Sequence, residues 1–110
     1  MTKNIATAYV RFIQIKSGKR RPVYILREDD KEIYFFDITS KYKNKSDFIK
    51  QWYFEIFDYQ TIGLRKHSWI DTYKVYALNK NSTEIKFIGK LSDKDISRLK
   101  TFIKKIRMNK

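Results

Sequence analysis

The C-terminal stretch constrains this chain most. From Ser92 it reads SDKDISRLKTFIKKIRM, and Ile96, Leu99, Ile103 and Ile106 recur at helical spacing with Phe102 beside them. Ser92 and Asp95 approximate a capping box, with Asp in place of the usual Glu or Gln. Acid sits in the first turn and base in the last, as the helix dipole favours. One amphipathic helix must bury its apolar stripe against something, and the remainder of the chain offers mainly short, strand-like segments between turns. Its basic face carries Arg98, Lys100, Lys104, Lys105 and Arg107, open to solvent or to an acidic partner.

ATAYVRFIQI, residues 6–15, alternates and reads as a first strand, followed by a turn at KSGK. RPVYILR (21–27) is a second strand, with its proline at the start, where no ladder donor is missed. EIYFFDIT (32–39) is a third, so residues 21–39 form a hairpin across EDDK. SDFIKQW (46–52) reads as a short helix capped by Ser46 or as a loop. YFEIFDY alternates like a strand, a turn surrounds Gly63, and TYKVYALNK (72–80) and IKFIGKL (85–91) are extended. The expectation is a mainly β fold, a small curled antiparallel sheet of five or six strands closed by the terminal helix.

At 110 residues the chain reads as one domain, residues 1–110, with one modest core. Its 42% hydrophobic and 16% aromatic content excludes disorder. No apolar run approaches the about 20 residues that span a bilayer, so no membrane association is expected, and the N-terminus lacks the apolar block of a signal peptide. The absence of cysteine rules out disulfides and thiolate metal sites and suits a cytoplasmic protein; no cofactor or metal is expected.

The net charge of +13 points to phosphate, an acidic protein or an anionic surface. A lysine-rich genome can raise the total, but it does not explain the clustering. KSGKRRPVYIL places Lys16, Lys19, Arg20 and Arg21 at one end of a strand, and Lys41, Lys43 and Lys45 follow Thr39. A charge run is usually a solvated face, but here two runs bracket one hairpin. Trp52, Tyr53, Tyr59 and Trp69 lie between basic stretches, where exposed rings stack the bases of single-stranded RNA. Half or more of such rings serve a core or an interface instead.

Three segments in order, KRRPVYIL, FFDITSK and KHSWIDTYKVYALNK followed by IGKLSDKDISRLKTFI, resemble the MazF/PemK family of bacterial toxins, more closely its PemK-like branch. The resemblance covers residues 8–106. It implies an SH3-like, partly open antiparallel barrel with a C-terminal helix, usually a homodimer. It also implies a metal-independent endoribonuclease that cuts single-stranded RNA at short sequences in the bacterial cytoplasm and is silenced by a cognate antitoxin. Arg21 takes the position of the family's Arg before Pro and Thr39 that of its Thr in Ile-Thr-Ser, and the resemblance assigns both to catalysis. Two departures stand out. IATAYV replaces the usual Gly-Asp opening of strand one, and Asp71 and Tyr73 stand where PemK-type members carry an Arg and an Asp.

Cleaving RNA with its own 2′-OH requires removing that proton, stabilising a doubly charged phosphorane and protonating the 5′-oxygen. Arg21 suits the second task, since its guanidinium forks onto two phosphate oxygens and keeps its charge. Arg21 and Thr39 sit at opposite ends of one hairpin and should face the same phosphate. His67, the only histidine, and Asp71 are the candidate general bases. Lys16, Lys19, Arg20, Ser40, Lys41, Lys43 and Lys45 are the candidate RNA-binding residues, while Glu55 and Asp58 read as surface. The alternative is a non-catalytic barrel of the same kind that binds nucleic acid or protein. A gyrase poison like the CcdB toxins fits less well, because those end in Trp-Gly-Ile and this chain ends RMNK.

Overall fold

The computed structural model describes residues 4–10 and 21–108. In chain order these form β1 (Ile5–Val10), β2 (Arg21–Glu28), β3 (Glu32–Thr39), α1 (Asp47–Lys50), β4 (Tyr53–Glu55), β5 (Trp69–Asn79), β6 (Thr83–Gly89) and α2 (Asp93–Met108), with single 3-10 turns at 60–62 and 80–82. The strands make one antiparallel sheet in the order β4-β5-β3-β2-β1-β6.

Chain length dictates that this sheet curls. β5 and β6 flank β3, β2 and β1, a separation of about 19 Å in a flat sheet at about 4.8 Å per strand. The link from Asn79 to Thr83 could span at most about 14 Å even fully extended, and it is wound into a 3-10 turn. Packing agrees. Tyr76 and Leu78 from β5 and Ile85 from β6 pack on one cluster with Ala6, Ala8, Val23, Ile33 and Phe35. The curl leaves β4 and β6 as the outer strands of the sheet, which among the described residues does not close into a barrel.

The opposite face receives the helix. Ile5, Phe36, Ile38, Phe54, Ile56, Ile70 and Leu91 pack with Leu99 of α2, and Ile96, Phe102 and Ile103 complete its apolar stripe. Phe35 and Phe36 are therefore both buried, one on each face of β3. β6 passes close beneath the first 3-10 turn: a Cβ at Gly89 would lie 2.9 Å from Ile62 Cγ2 and 3.1 Å from its carbonyl oxygen.

Several local readings change. The expected first strand runs into residues outside the described part. The short helix forms, with Ser46 Oγ accepting from the Ile49 N–H at 3.3 Å. β4 stops at Glu55, well short of the alternation through Tyr59. The reason is Asp95, whose carboxylate accepts the Phe57 and Asp58 N–H groups at 3.3 and 2.9 Å and pulls that segment off the strand line. Ser92 does cap α2, its Oγ accepting from Asp95 N–H at 3.1 Å. Asp95 is thus fully buried and serves a distant loop as well as the helix start. Arg98 also leaves the expected solvated face. It donates to Asp95 at 2.6 Å and to the Glu55 carbonyl at 3.1 Å, with its guanidinium over the rings of Phe57 and Phe54.

β5 begins three residues earlier than expected and carries a wide bulge. Asp37 faces Asp71 and Phe35 faces Tyr76, so residues 72–75 of β5 stand opposite Phe36 alone. Thr72 anchors the bulge by donating N–H and Oγ1–H to the Trp52 carbonyl at 3.0 and 2.5 Å. Among the described residues, no helix is long and apolar enough to cross a membrane.

Candidate functional site

The strand registers set two rows of side chains on the face away from α2. Thr39, Trp69 and Glu55 are directly opposed across β3, β5 and β4, as are Asp37, Asp71 and Tyr53 one pleat further on. Val23 of β2 opposes Asp37, so Arg21, two residues earlier, shares that face beside Thr39. Arg21 and Thr39 line a single cleft.

That cleft has a volume of about 580 Å³. Arg21 enters from β2, Asp37 and Thr39 from β3, Ser40, Lys41 and Lys45 from the following loop, and Tyr53 and Asp71 from β4 and β5. Arg65, Lys66 and Ser68 arrive from the segment before β5. Cations therefore come from three parts of the chain. The Thr39 hydroxyl accepts the Lys41 N–H at 3.1 Å, which uses an oxygen lone pair and leaves its proton to donate to an anion. Asp71 Oδ1 accepts the Tyr73 N–H at 3.0 Å, which sets the carboxylate plane at the start of the bulge.

The acidic row changes the electrostatics of the cleft floor. Burial holds the Asp37 carboxyl above the usual carboxylate range; nearby Arg21 opposes this, and Asp71 reinforces it. Burial also pushes up the Tyr53 and Tyr76 phenols, with both aspartates adding to the effect. Tyr76 stacks on Phe35 at 5.7 Å, which places its ring on the same face.

His67 lies in an adjoining cavity of about 640 Å³, which shares Ser40, Lys41, Lys45 and Lys66 with the cleft and adds Tyr42, Lys43, Asn44 and Trp69. Its Nε2 is 2.8 Å from Glu55 Oε2, and its ring stacks between Tyr59 (5.4 Å) and Trp69 (4.4 Å). Trp69 in turn stacks on Tyr42 at 4.6 Å. The histidine thus belongs to an aromatic wall, and of the two candidate bases it is Asp71 that joins Arg21 and Thr39. Glu55, read as surface, has its carboxylate turned to His67.

Of the candidate RNA-binding residues, Ser40, Lys41 and Lys45 line both cavities and Lys43 the second. Lys16, Lys19 and Arg20 lie outside the described residues. Sequence reasoning missed Asp37, Arg65 and Lys66 as cleft residues. Asp37 was within reach, because alternation puts it on the face of Thr39 two residues away. Arg65 and Lys66 adjoin His67 in the run RKHSW, and nothing local says which way that loop folds. Among the described residues, no group of three or more His, Cys, Asp or Glu side chains could hold a metal ion. Compared with known proteins, the chain matches no family model and no curated protein.

Proposed function

We propose that this chain is a MazF/PemK-like toxin, an endoribonuclease that cleaves single-stranded RNA by attack of the substrate's own 2′-OH, leaving a 5′-OH end. One observation carries the reading: Arg21 and Thr39, the two residues the resemblance assigns to catalysis, line the same cation-rich cleft. The curled antiparallel sheet backed by one C-terminal helix is compatible with the SH3-like barrel of that family. The cleft would draw in the RNA backbone through Lys41, Lys45, Arg65 and Lys66. Arg21 would fork onto the scissile phosphate and hold its growing charge, and the Thr39 hydroxyl would donate a hydrogen bond to a phosphate oxygen. Bases flanking that phosphate would meet the Tyr42 and Trp69 wall of the adjoining cavity. This reading includes a homodimer and a cognate antitoxin as partners, and it needs no metal or cofactor.

The test is cleavage of a long single-stranded RNA in EDTA by the wild type, Arg21→Ala and Thr39→Ala, with the ends mapped. Short-motif cuts with 5′-OH ends, reduced at least about 100-fold in Arg21→Ala, are expected. Intact RNA with bound, folded protein would instead make this a nucleic-acid-binding module.

A further inference from the structure

A 2′-OH attack mechanism needs a proton acceptor and a proton donor at the same phosphate, and Arg21 and Thr39 supply neither a base nor an obvious acid for the leaving oxygen. The floor of the cleft holds a second carboxyl beside Asp71. Asp37 of β3 and Asp71 of β5 are directly opposed in register, so their Cα atoms stand about 4.5–5.5 Å apart and their side chains leave the sheet on one face. Both line the cleft that contains Arg21 and Thr39. We propose that Asp37 is the general acid of this site, protonating the departing 5′-oxygen, with Asp71 opposite it as the general base. The inference rests on the ribonuclease reading above.

The environments of the two carboxyls differ in ways that suit this division. Asp71 is half-buried at the start of the bulge, with one oxygen already held by the Tyr73 N–H. Asp37 is half-buried between β2 and β5, and burial favours its neutral, proton-bearing form. The groups facing Asp37 are Arg21 from β2, Tyr53 from β4 and Asp71 and Tyr76 from β5, with Lys41, Lys45, Arg65 and Lys66 around the cleft rim. Burial and, after it, Asp71 oppose ionisation of Asp37, while Arg21 favours it.

Protons balance through a full turnover. The 2′-oxygen attacks phosphorus as its proton passes to Asp71. The bond from phosphorus to the 5′-oxygen breaks as that oxygen takes the Asp37 proton. A 2′,3′-cyclic phosphate and a 5′-OH result, and Asp71 now holds the proton that Asp37 has lost. Because the carboxyls face each other, one transfer across the strands restores the starting state.

The experiment compares a normal RNA with one carrying sulfur in place of the 5′-bridging oxygen at the cut site. Sulfur leaves without protonation. Wild type, Asp37→Asn and Asp71→Asn are assayed on both, across pH, with folding checked by circular dichroism. Asp37→Asn should lose about 100-fold or more in kcat on the normal RNA with little change in KM, lose the alkaline fall of the pH profile, and recover on the sulfur substrate. Asp71→Asn should be slow on both. If folded Asp37→Asn is impaired equally on both substrates, or on neither, while the wild type cleaves, the acid role is overturned and the ribonuclease reading stands. If the wild type cleaves neither RNA, both fall.

Discussion

Asp37 sits in an environment that works against its charge. Its folded-state pKa is raised, chiefly by burial and then by Asp71. A carboxyl raised in this way binds its proton more readily folded than unfolded, so its contribution favours the folded state at low pH. That contribution is lost as pH rises from the unfolded range near 4 through the higher folded value. Asp37→Asn should therefore raise the melting temperature at pH 7, and the gain should vanish near pH 3.5. Melts at the two pH values check this, and a destabilised variant at pH 7 would contradict it. Residues that reduce stability while lining a cleft are commonly kept for function. Asp95 is the opposite case, a fully buried carboxylate satisfied by the Phe57 and Asp58 N–H groups and by Arg98. Asp95→Ala would strand a half-buried guanidinium and two backbone donors, at a cost of about 3–5 kcal/mol in urea unfolding. The sequence offered a capping residue at this position; a partner nearly forty residues upstream leaves no local trace.

At the scale of elements, the helix was the most legible part because its signals are local. Apolar spacing, Ser92 and the end charges all lie within the segment they describe, and Ser92→Ala should cost about 1 kcal/mol of stability in the same urea assay. The β2–β3 hairpin was legible for the same reason. Alternation in Glu32–Thr39 matched the strand to the residue and carried Asp37 and Thr39 onto one face. The end of β4 was not legible. YFEIFDY alternates throughout, yet a buried carboxylate from α2 takes the N–H groups that a longer strand would have used. Nor does TYKVYALNK announce a bulge; what sets it is the Trp52 carbonyl, which receives both donors of Thr72. The cleft was legible where it depends on the hairpin, at Arg21, Thr39 and Lys41. It was hidden where it depends on how the 64–68 loop folds back.

The whole molecule adds what no element carries alone. The three-residue link between β5 and β6 forces the curl, and the curl brings strands from both sides of the sheet into one cluster. Charge also acts at this scale. With Lys41, Lys45, Arg65 and Lys66 around one cleft on a chain of net charge +13, binding to single-stranded RNA should weaken steeply with salt. Each cation that contacts phosphate adds about 0.7 to the slope of log affinity against log salt, so a Lys41→Ala, Lys66→Ala double variant should flatten it by about 1.4 in a fluorescence titration. An unchanged slope would remove these two lysines from the RNA path. The wide bulge in β5 has an evolutionary consequence as well. On one side of it Tyr76 pairs with Phe35 for the hydrophobic cluster; on the other Asp71 pairs with Asp37 for the cleft. The exposed residues between, Tyr73, Lys74 and Val75, lie outside both pairings. A lineage could gain or lose a residue there without turning either stretch over, so the length of this strand is free to drift while core and cleft are each inherited intact.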